Sequence, residues 1–405
     1  MSIGREWPSA TLHPPRPRED ARYAVVVSDK LETGRKRALV MCYSAVGSDA
    51  RVSNQIRWLE GAGYTVDILS RGPEHPDATG KRFTIGHPSS RLNLIFHAFL
   101  PPRARFNGVV GKYMPSLAGE KYDLVIVNDH HLLPWAVTAV PGFANGPVVL
   151  DLHEVYSGNG TSLVYKLLIA RYDDWLLTFI TSPVFTKLLT VAEGIADLYR
   201  DQYGVQRPGV IRNVAPYEEL APSPVDPDNI LLEHHGYAAV ERGIDLMLDA
   251  ALLLEPRFTL VLMVLGTDET LGPIRAHEAV VTGRAVLRDP VPVTDVARAV
   301  NDCDLELIFF PPRFANNQYA LPNKFFESIQ GRLGIVIGHS PEIEPFVVQH
   351  GFGLVIDGWE AKNLADALNA LTADEITAMK KAADAAAADL STIGEGPRFL
   401  AEVGA

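Results

Sequence analysis

The chain has 405 residues, more than a single hydrophobic core supports, so two domains are expected. Hydrophobic residues make up 47% and charged residues 21%, an ordinary globular balance with enough apolar material for two cores. The 49 acidic residues exceed the 37 lysines and arginines, and the resulting charge of −12 speaks against nucleic acid as a partner, because phosphate binding needs basic surface.

The first segment, Met1 to Asp20, carries Pro8, Pro14, Pro15 and Pro17 with mixed charges and reads as a flexible tail. It lacks the apolar centre of a secretion signal. The two cysteines, Cys42 and Cys303, each lie in or beside an apolar stretch. Together these features suggest a cytoplasmic protein with reduced, buried thiols. No Cys/His cluster has zinc-site spacing, and no metal is expected. The apolar run Tyr23–Val27 is a candidate extra edge strand. The nearest approach to a membrane span, Leu176 to Val191, is interrupted by Pro183 and Lys187.

Strand-like apolar runs then alternate with helical stretches, the pattern of α/β folds with parallel sheets. The first series comprises Ala38–Tyr43, Thr65–Leu69, Leu124–Val127, Val148–Leu152 and Leu188–Val191, with helices predicted over Val52–Ala62 and Gly194–Tyr203. The connector Ala221–Asp228 holds Pro222, Pro224 and Pro227 and favours an extended path. A second series comes after it: Ile230–Glu233, Leu260–Leu265, Leu305–Phe310, Ile335–Ile337 and Leu354–Ile356. Its helices are predicted over Ile244–Leu254, Val293–Val300, Lys324–Gln330 and Asn363–Leu371. The Ala-rich stretch Lys381–Leu390 also reads as helical. The expected architecture is two tandem Rossmann-like, doubly wound domains facing a cleft: 21–220 and 221–385, with 386–405 able to pack back on the first. Such sheets bind ligands at the carboxyl ends of their strands.

Several polar clusters fall at those ends. After the first strand comes Ser44 to Arg51, in which Gly47 permits close approach of backbone to a ligand, Asp49 can cap the next helix, and Arg51 can meet an anion. Asp129, after Leu124–Val127, is a ligand contact or a helix N-cap. Asp151-Leu152-His153-Glu154 follows a buried strand, so His153 can donate to a sugar hydroxyl with Asp151 or Glu154 orienting it. The same residues also suit a capping Asp and a structural His. In the second domain the strand leads into His234-His235-Gly236-Tyr237, a glycine-bearing turn whose backbone N–H groups would attract phosphate, with Arg242 adding a forked cation. In Leu321-Pro322-Asn323-Lys324-Phe325-Phe326-Glu327, Pro322 and Asn323 suit a helix start. Lys324 would oppose the dipole of the first turn, a placement that a bound anion explains. Glu327, one turn on, suits a ribose diol. An ordinary exposed Lys–Glu pair is the competing explanation.

These residues resemble the glycosyltransferase family 4 pattern, and GT-B retaining glycosyltransferases more widely. The resemblance runs from about Lys36 to Leu371. In the first half it rests on Ser48–Ser70, Tyr122–Asp129, Val148–Tyr156, Leu188–Tyr199 and Arg207–Asn213. In the second it rests on Glu241–Ala250, Leu321–Gly338 and His350–Asp357. It implies metal-independent, retaining transfer from a nucleotide-diphosphate sugar, a co-substrate rather than a cofactor, to an acceptor held by the first domain. By the same resemblance Arg242 neutralises the diphosphate, Lys324 assists it, Glu327 binds the donor ribose and His153 lies near the donor sugar. Asn213 ends the inter-domain strand. Two positions depart from the pattern. Tyr319 stands where many members carry an acidic residue eight positions before Glu327, and Tyr237 replaces an arginine after the strand-end glycine. A nucleotide-sugar 2-epimerase and a non-catalytic GT-B subunit are the rival expectations. The acceptor is open between a glycan, a lipid-linked molecule and a small natural product, and the oligomeric state is open too. The segment Arg91–Lys112, with Arg103, Arg105, Phe99 and Phe106, suits either a membrane surface or a cover over the first sheet.

Overall fold

A computed structural model describes residues 34–72, 79–86, 97–156, 169–238, 242–312 and 315–405. The tail, the Tyr23–Val27 run and Arg91, Leu94, Ile95 and Phe96 lie outside them.

Among the described residues two parallel sheets form. The first has seven strands: β1 (Arg37–Met41), β2 (Thr65–Ser70), β3 (Arg82–Thr84), β4 (Leu124–Asn128), β5 (Val148–Leu152), β6 (Lys187–Thr190) and β7 (Gly209–Val210). Their order is β3-β2-β1-β4-β5-β6-β7. The second has six: β8 (Ile230–Tyr237), β9 (Phe258–Leu265), β10 (Ala285–Leu287), β11 (Leu305–Ile308), β12 (Gly334–Gly338) and β13 (Gly353–Ile356), in the order β10-β9-β8-β11-β12-β13. Both are doubly wound, with the strand order reversing direction between β1 and β4 and again between β8 and β11. Helices cover both faces, so the central strands are buried along most of their length. All five residues of β4, β5 and β12 are buried.

Five of the described helices matter most for the site and for the first core. These are α1 (Ala50–Gly61), α2 (Glu193–Tyr203), α3 (Ile244–Ala251), α4 (Asn323–Gln330) and α5 (Thr392–Val403). Asp49 caps α1, its Oδ1 accepting from the Val52 N–H at 3.1 Å. At α4 the N-cap is Pro322 and makes no side-chain bond, so Asn323 is the first helical residue and its amide is left for another partner.

The predicted strands and helices match observed elements, with two informative differences, and the C-terminal segment packs back on the first domain as the sequence allowed. The edge strands β3, β7 and β10, of two or three residues each, are too short to show a period. Strand β8 runs on to Tyr237, so His234, His235 and Gly236 belong to the strand and not to a turn beyond it. Helix α5 packs against α1, with Phe399 and Trp58 ring centroids 5.2 Å apart and Phe399 and Val403 in the core beneath the first sheet.

Candidate active site

Strand register opens the site. β8 pairs with β9 along all eight residues but with β11 only at Leu232 and Glu233. Beyond Glu233 the two strands part at the point where the strand order reverses, and the backbone there has no sheet partner on that side. His234, His235 and Gly236 occupy this gap. His234 Nδ1 donates to the Leu307 carbonyl at 2.7 Å, which leaves Nε2 as an acceptor, and the Lys324 ammonium lies 3.0 Å from it. Lys324 also donates to the His235 carbonyl, and its Nζ sits 5.2 Å from the Phe310 ring centroid. Gly236 has φ +109°, which a side chain rarely adopts, and a Cβ there would lie 3.7 Å from Lys324 Nζ and 3.8 Å from Arg242 Nη1. The glycine therefore lets two cations approach one piece of backbone. Lys324 is 3% exposed, so the exposed Lys–Glu pair is not what forms. Burial brings its ammonium down to about 8, against the pull of Glu306 and Glu233 and with help from Arg242. Arg242 makes no hydrogen bond or ion pair among the described residues and lines the inter-domain cavity, of about 370 Å³.

That cavity brings the two domains' candidates together. Asp49, Arg51, His153 and Glu154 face Arg242, Tyr319 and Asn323 across it, with Asn213 between. Asn213 Nδ2 donates to Asn323 Oδ1 at 2.8 Å, while Asn213 Oδ1 is buried with no partner among the described residues. A second crevice, of about 200 Å³, is lined by Gly47, Arg57, Asn213, Asn323 and Glu327, so Glu327 lies beside the first cavity and not within its wall.

In the first domain the polar residues form one buried network. Arg51 grips Asp151 through two bonds of 2.8 Å and also donates to the Ile211 carbonyl at 2.5 Å. At 3% exposure its fork is spent on the protein, which corrects the expectation that it meets an anion. Asp151 neither caps a helix nor touches solvent. Burial works against its charge, but the Arg51 guanidinium prevails and holds the carboxyl well below the ordinary range. His153 Nε2 lies 3.0 Å from Asn128 Oδ1 and 3.6 Å from Asp151 Oδ2. Burial disfavours its imidazolium, the Asp151 carboxylate favours it, and the balance lies above the ordinary histidine value. Asp151 and Asn128 thus orient His153. Glu154 does not: its side chain is exposed, and its carbonyl accepts from the Tyr199 hydroxyl at 2.8 Å. Asp129 is not a side-chain cap either. It sits at φ 72°, an unusual backbone for a non-glycine residue, and accepts from the Tyr43 N–H at 2.8 Å, tying the β1 and β4 ends together.

Tyr237 is half exposed and lines a separate apolar pocket with Ile244, Leu248 and Pro273, away from the cavity. Tyr319 packs on Gly194, where any Cβ would strike its ring. Sequence reasoning did not single out Glu342. From the loop after β12 it accepts from the Gly194 and Glu193 N–H groups at 2.7 and 3.0 Å, capping α2 of the other domain. Nor did it find the partners of His235, whose signal was a charge inside each of two apolar strands, Glu233 and Glu306. Of the Arg91–Lys112 segment, Phe106 is buried and Arg105 lies over the Tyr172 ring at 4.1 Å, while Phe99 is exposed. Among the described residues no helix is long and apolar enough to cross a membrane.

Residues 47–216 match the model of Glycosyltransferase Family 4. No curated protein matches the chain in sequence. Among solved structures, sucrose-phosphate synthase from Thermosynechococcus elongatus superposes with a TM-score of 0.63 at 14% identity, over 90% of this chain and 97% of that one. Anabaena HepE in complex with UDP-glucose gives 0.64 at 13%, over 91% and 99%. The α,α-trehalose 6-phosphate synthase of Burkholderia multivorans gives 0.60 at 14%, over 91% and 98%. At these identities the likeness establishes the fold, which is GT-B.

Proposed function

We propose, from a GT-B chain whose first domain carries the Glycosyltransferase Family 4 match, that this protein is a glycosyltransferase. It takes a sugar from a nucleotide-diphosphate donor and delivers it to an acceptor hydroxyl in the first domain. The observation that carries the reading is the placement of Lys324 and Arg242 beside Gly236, at the switch point of the second sheet, with Arg242 in the wall of the cavity that His153 also lines.

The chemistry needs a stabiliser for the leaving group. As the bond between the anomeric carbon and the diphosphate oxygen breaks, negative charge grows on the phosphate. The Lys324 ammonium is held in place before the charge develops, which is where electrostatic stabilisation is most effective, and Arg242 has no competing partner among the described residues. Both positive groups come from the protein, in keeping with transfer that needs no metal ion. His153, oriented by Asp151 and Asn128, is placed to donate to a sugar hydroxyl. The shared wall of the cavity would keep water from the breaking bond. UDP-glucose in the HepE complex makes a UDP-sugar the first donor to try. Retention of anomeric configuration belongs to the same reading.

Donor-dependent transfer is the test. Arg242→Ala and Lys324→Ala should each lower kcat/KM by roughly 10²–10³; the melting temperature should stay near the native value for Arg242→Ala and fall for Lys324→Ala, which removes a buried counter-charge. Undiminished transfer by both variants would exclude the reading. Isomerised sugar formed from the donor alone, without acceptor, would show an epimerase instead.

A further inference from the structure

Beneath the donor side of the cavity, β8, β11 and α4 enclose a charged cluster to which the transfer reaction assigns no step. His235 Nδ1 lies 2.9 Å from Glu233 Oε2 and 3.3 Å from Glu306 Oε2. Its Nε2 lies 2.9 Å from Glu327 Oε2. Glu233 and Glu306 are register neighbours on adjacent parallel strands and are fully buried, and Ser328 Oγ donates to Glu306 Oε2 at 3.0 Å. A carboxylate oxygen faces each ring nitrogen. A neutral imidazole has one N–H and one lone pair, so it would set that lone pair against a carboxylate at hydrogen-bond distance. The imidazolium donates from both nitrogens at once, to the Glu233 carboxylate and to Glu327.

The remaining groups balance it. Burial together with the Glu233 carboxylate beside it holds Glu306 well above the ordinary carboxyl value, so Glu306 keeps its proton while Glu233 stays ionised. Glu233, Glu327, His235 and Lys324 then carry two negative and two positive charges in an enclosed volume. Buried charge without such compensation would cost several kcal/mol.

We propose that His235 is the positioning residue of the donor site. Resting on Glu233 and Glu306, its ring holds the Glu327 carboxylate in one orientation for the ribose hydroxyls of the donor. Its own carbonyl anchors the Lys324 ammonium. Glu327 is 13% exposed, and its second oxygen, which does not touch the ring, has no partner among the described residues. The inference rests on the donor-site reading above and adds the group that prepares it.

Two substitutions separate the two ring contacts. His235→Gln places an amide N–H where Nε2 stood and keeps the bond to Glu327. His235→Asn places one where Nδ1 stood and keeps only the bond to Glu233. Calorimetry with UDP, GDP and ADP, and with the 2′,3′-dideoxy form of whichever the native protein binds, reads the result. The native protein should bind the dideoxy nucleotide at least about tenfold more weakly. His235→Gln should keep that discrimination. His235→Asn should bind the parent nucleotide about tenfold more weakly and lose most of the discrimination, with the dideoxy form bound as the native protein binds it. A merely structural role would weaken both nucleotides alike. Native discrimination in His235→Asn overturns the inference while leaving the donor reading intact. Failure of the native protein to bind any of the three overturns both. Should the variants fail to fold, nitrogen-15 spectra of the native imidazole decide. Two protonated ring nitrogens at neutral pH support the assignment, and a neutral ring overturns it.

Discussion

Lys324 holds a positive charge where burial disfavours it, and this makes its chemistry dependent on pH. Below about 8 it is an ammonium that attracts a diphosphate, and above that it is a neutral amine that does not. Because burial lowers the value, the charged form is what is lost as pH rises. Donor affinity measured by calorimetry should therefore fall roughly tenfold between pH 7 and 9, and the Lys324→Ala protein should show no such step. The sequence marked Lys324 through its awkward position in a first helical turn, and Arg242 through its place after a strand. Arg51 shows the limit of such reasoning. Its spacing after β1 suited an anion contact, yet Asp151, a hundred residues away, takes two of its N–H groups and the Ile211 carbonyl a third. The partner of a charged side chain is a matter of which strands lie side by side, and one segment's composition carries no record of it.

Helix ends join the two domains. The N-terminus of α2 has no side-chain cap within its own domain, and Glu342 supplies one from the other. The carboxylate meets two free N–H groups and the positive end of a helix dipole, while Tyr319 and Gly194 interlock beside it. Glu342→Ala should cost about 1.5–3 kcal/mol in urea unfolding, since it removes hydrogen bonds to a charged group at a buried position. A cost within error of zero would show that the contact contributes nothing. Elements with many apolar residues were legible from period and length. The strand β8 was legible only to Glu233, because His234 and His235 look like a polar turn. They remain in the strand because β9 pairs with them through to Tyr237, and because their side chains find Leu307, Lys324, Glu233 and Glu327.

At the scale of the molecule, the chain's last helix serves its first domain. α5 follows the second domain in sequence, yet Phe399 is wholly buried beside Trp58, and Glu395 accepts from the Arg212 backbone N–H at 2.7 Å and pairs with its guanidinium. Phe399→Ala should destabilise the protein by about 3–5 kcal/mol in urea unfolding, the cost of an aromatic-sized cavity. A loss below about 1 kcal/mol would mean the helix is not needed to close that core. From the sequence alone came the alternation of strands and helices, the doubly wound halves and the spacing that sets Lys324 one turn before Glu327. These are local properties, fixed by hydrophobic period and by residues three or four apart. Tertiary structure alone decided that Arg51 serves Asp151, that Glu342 caps a helix of the other domain, and that His235 stands between three carboxyl groups. Each joins residues far apart in the chain, and parallel strands acquire such neighbours only through crossovers whose register no local pattern encodes.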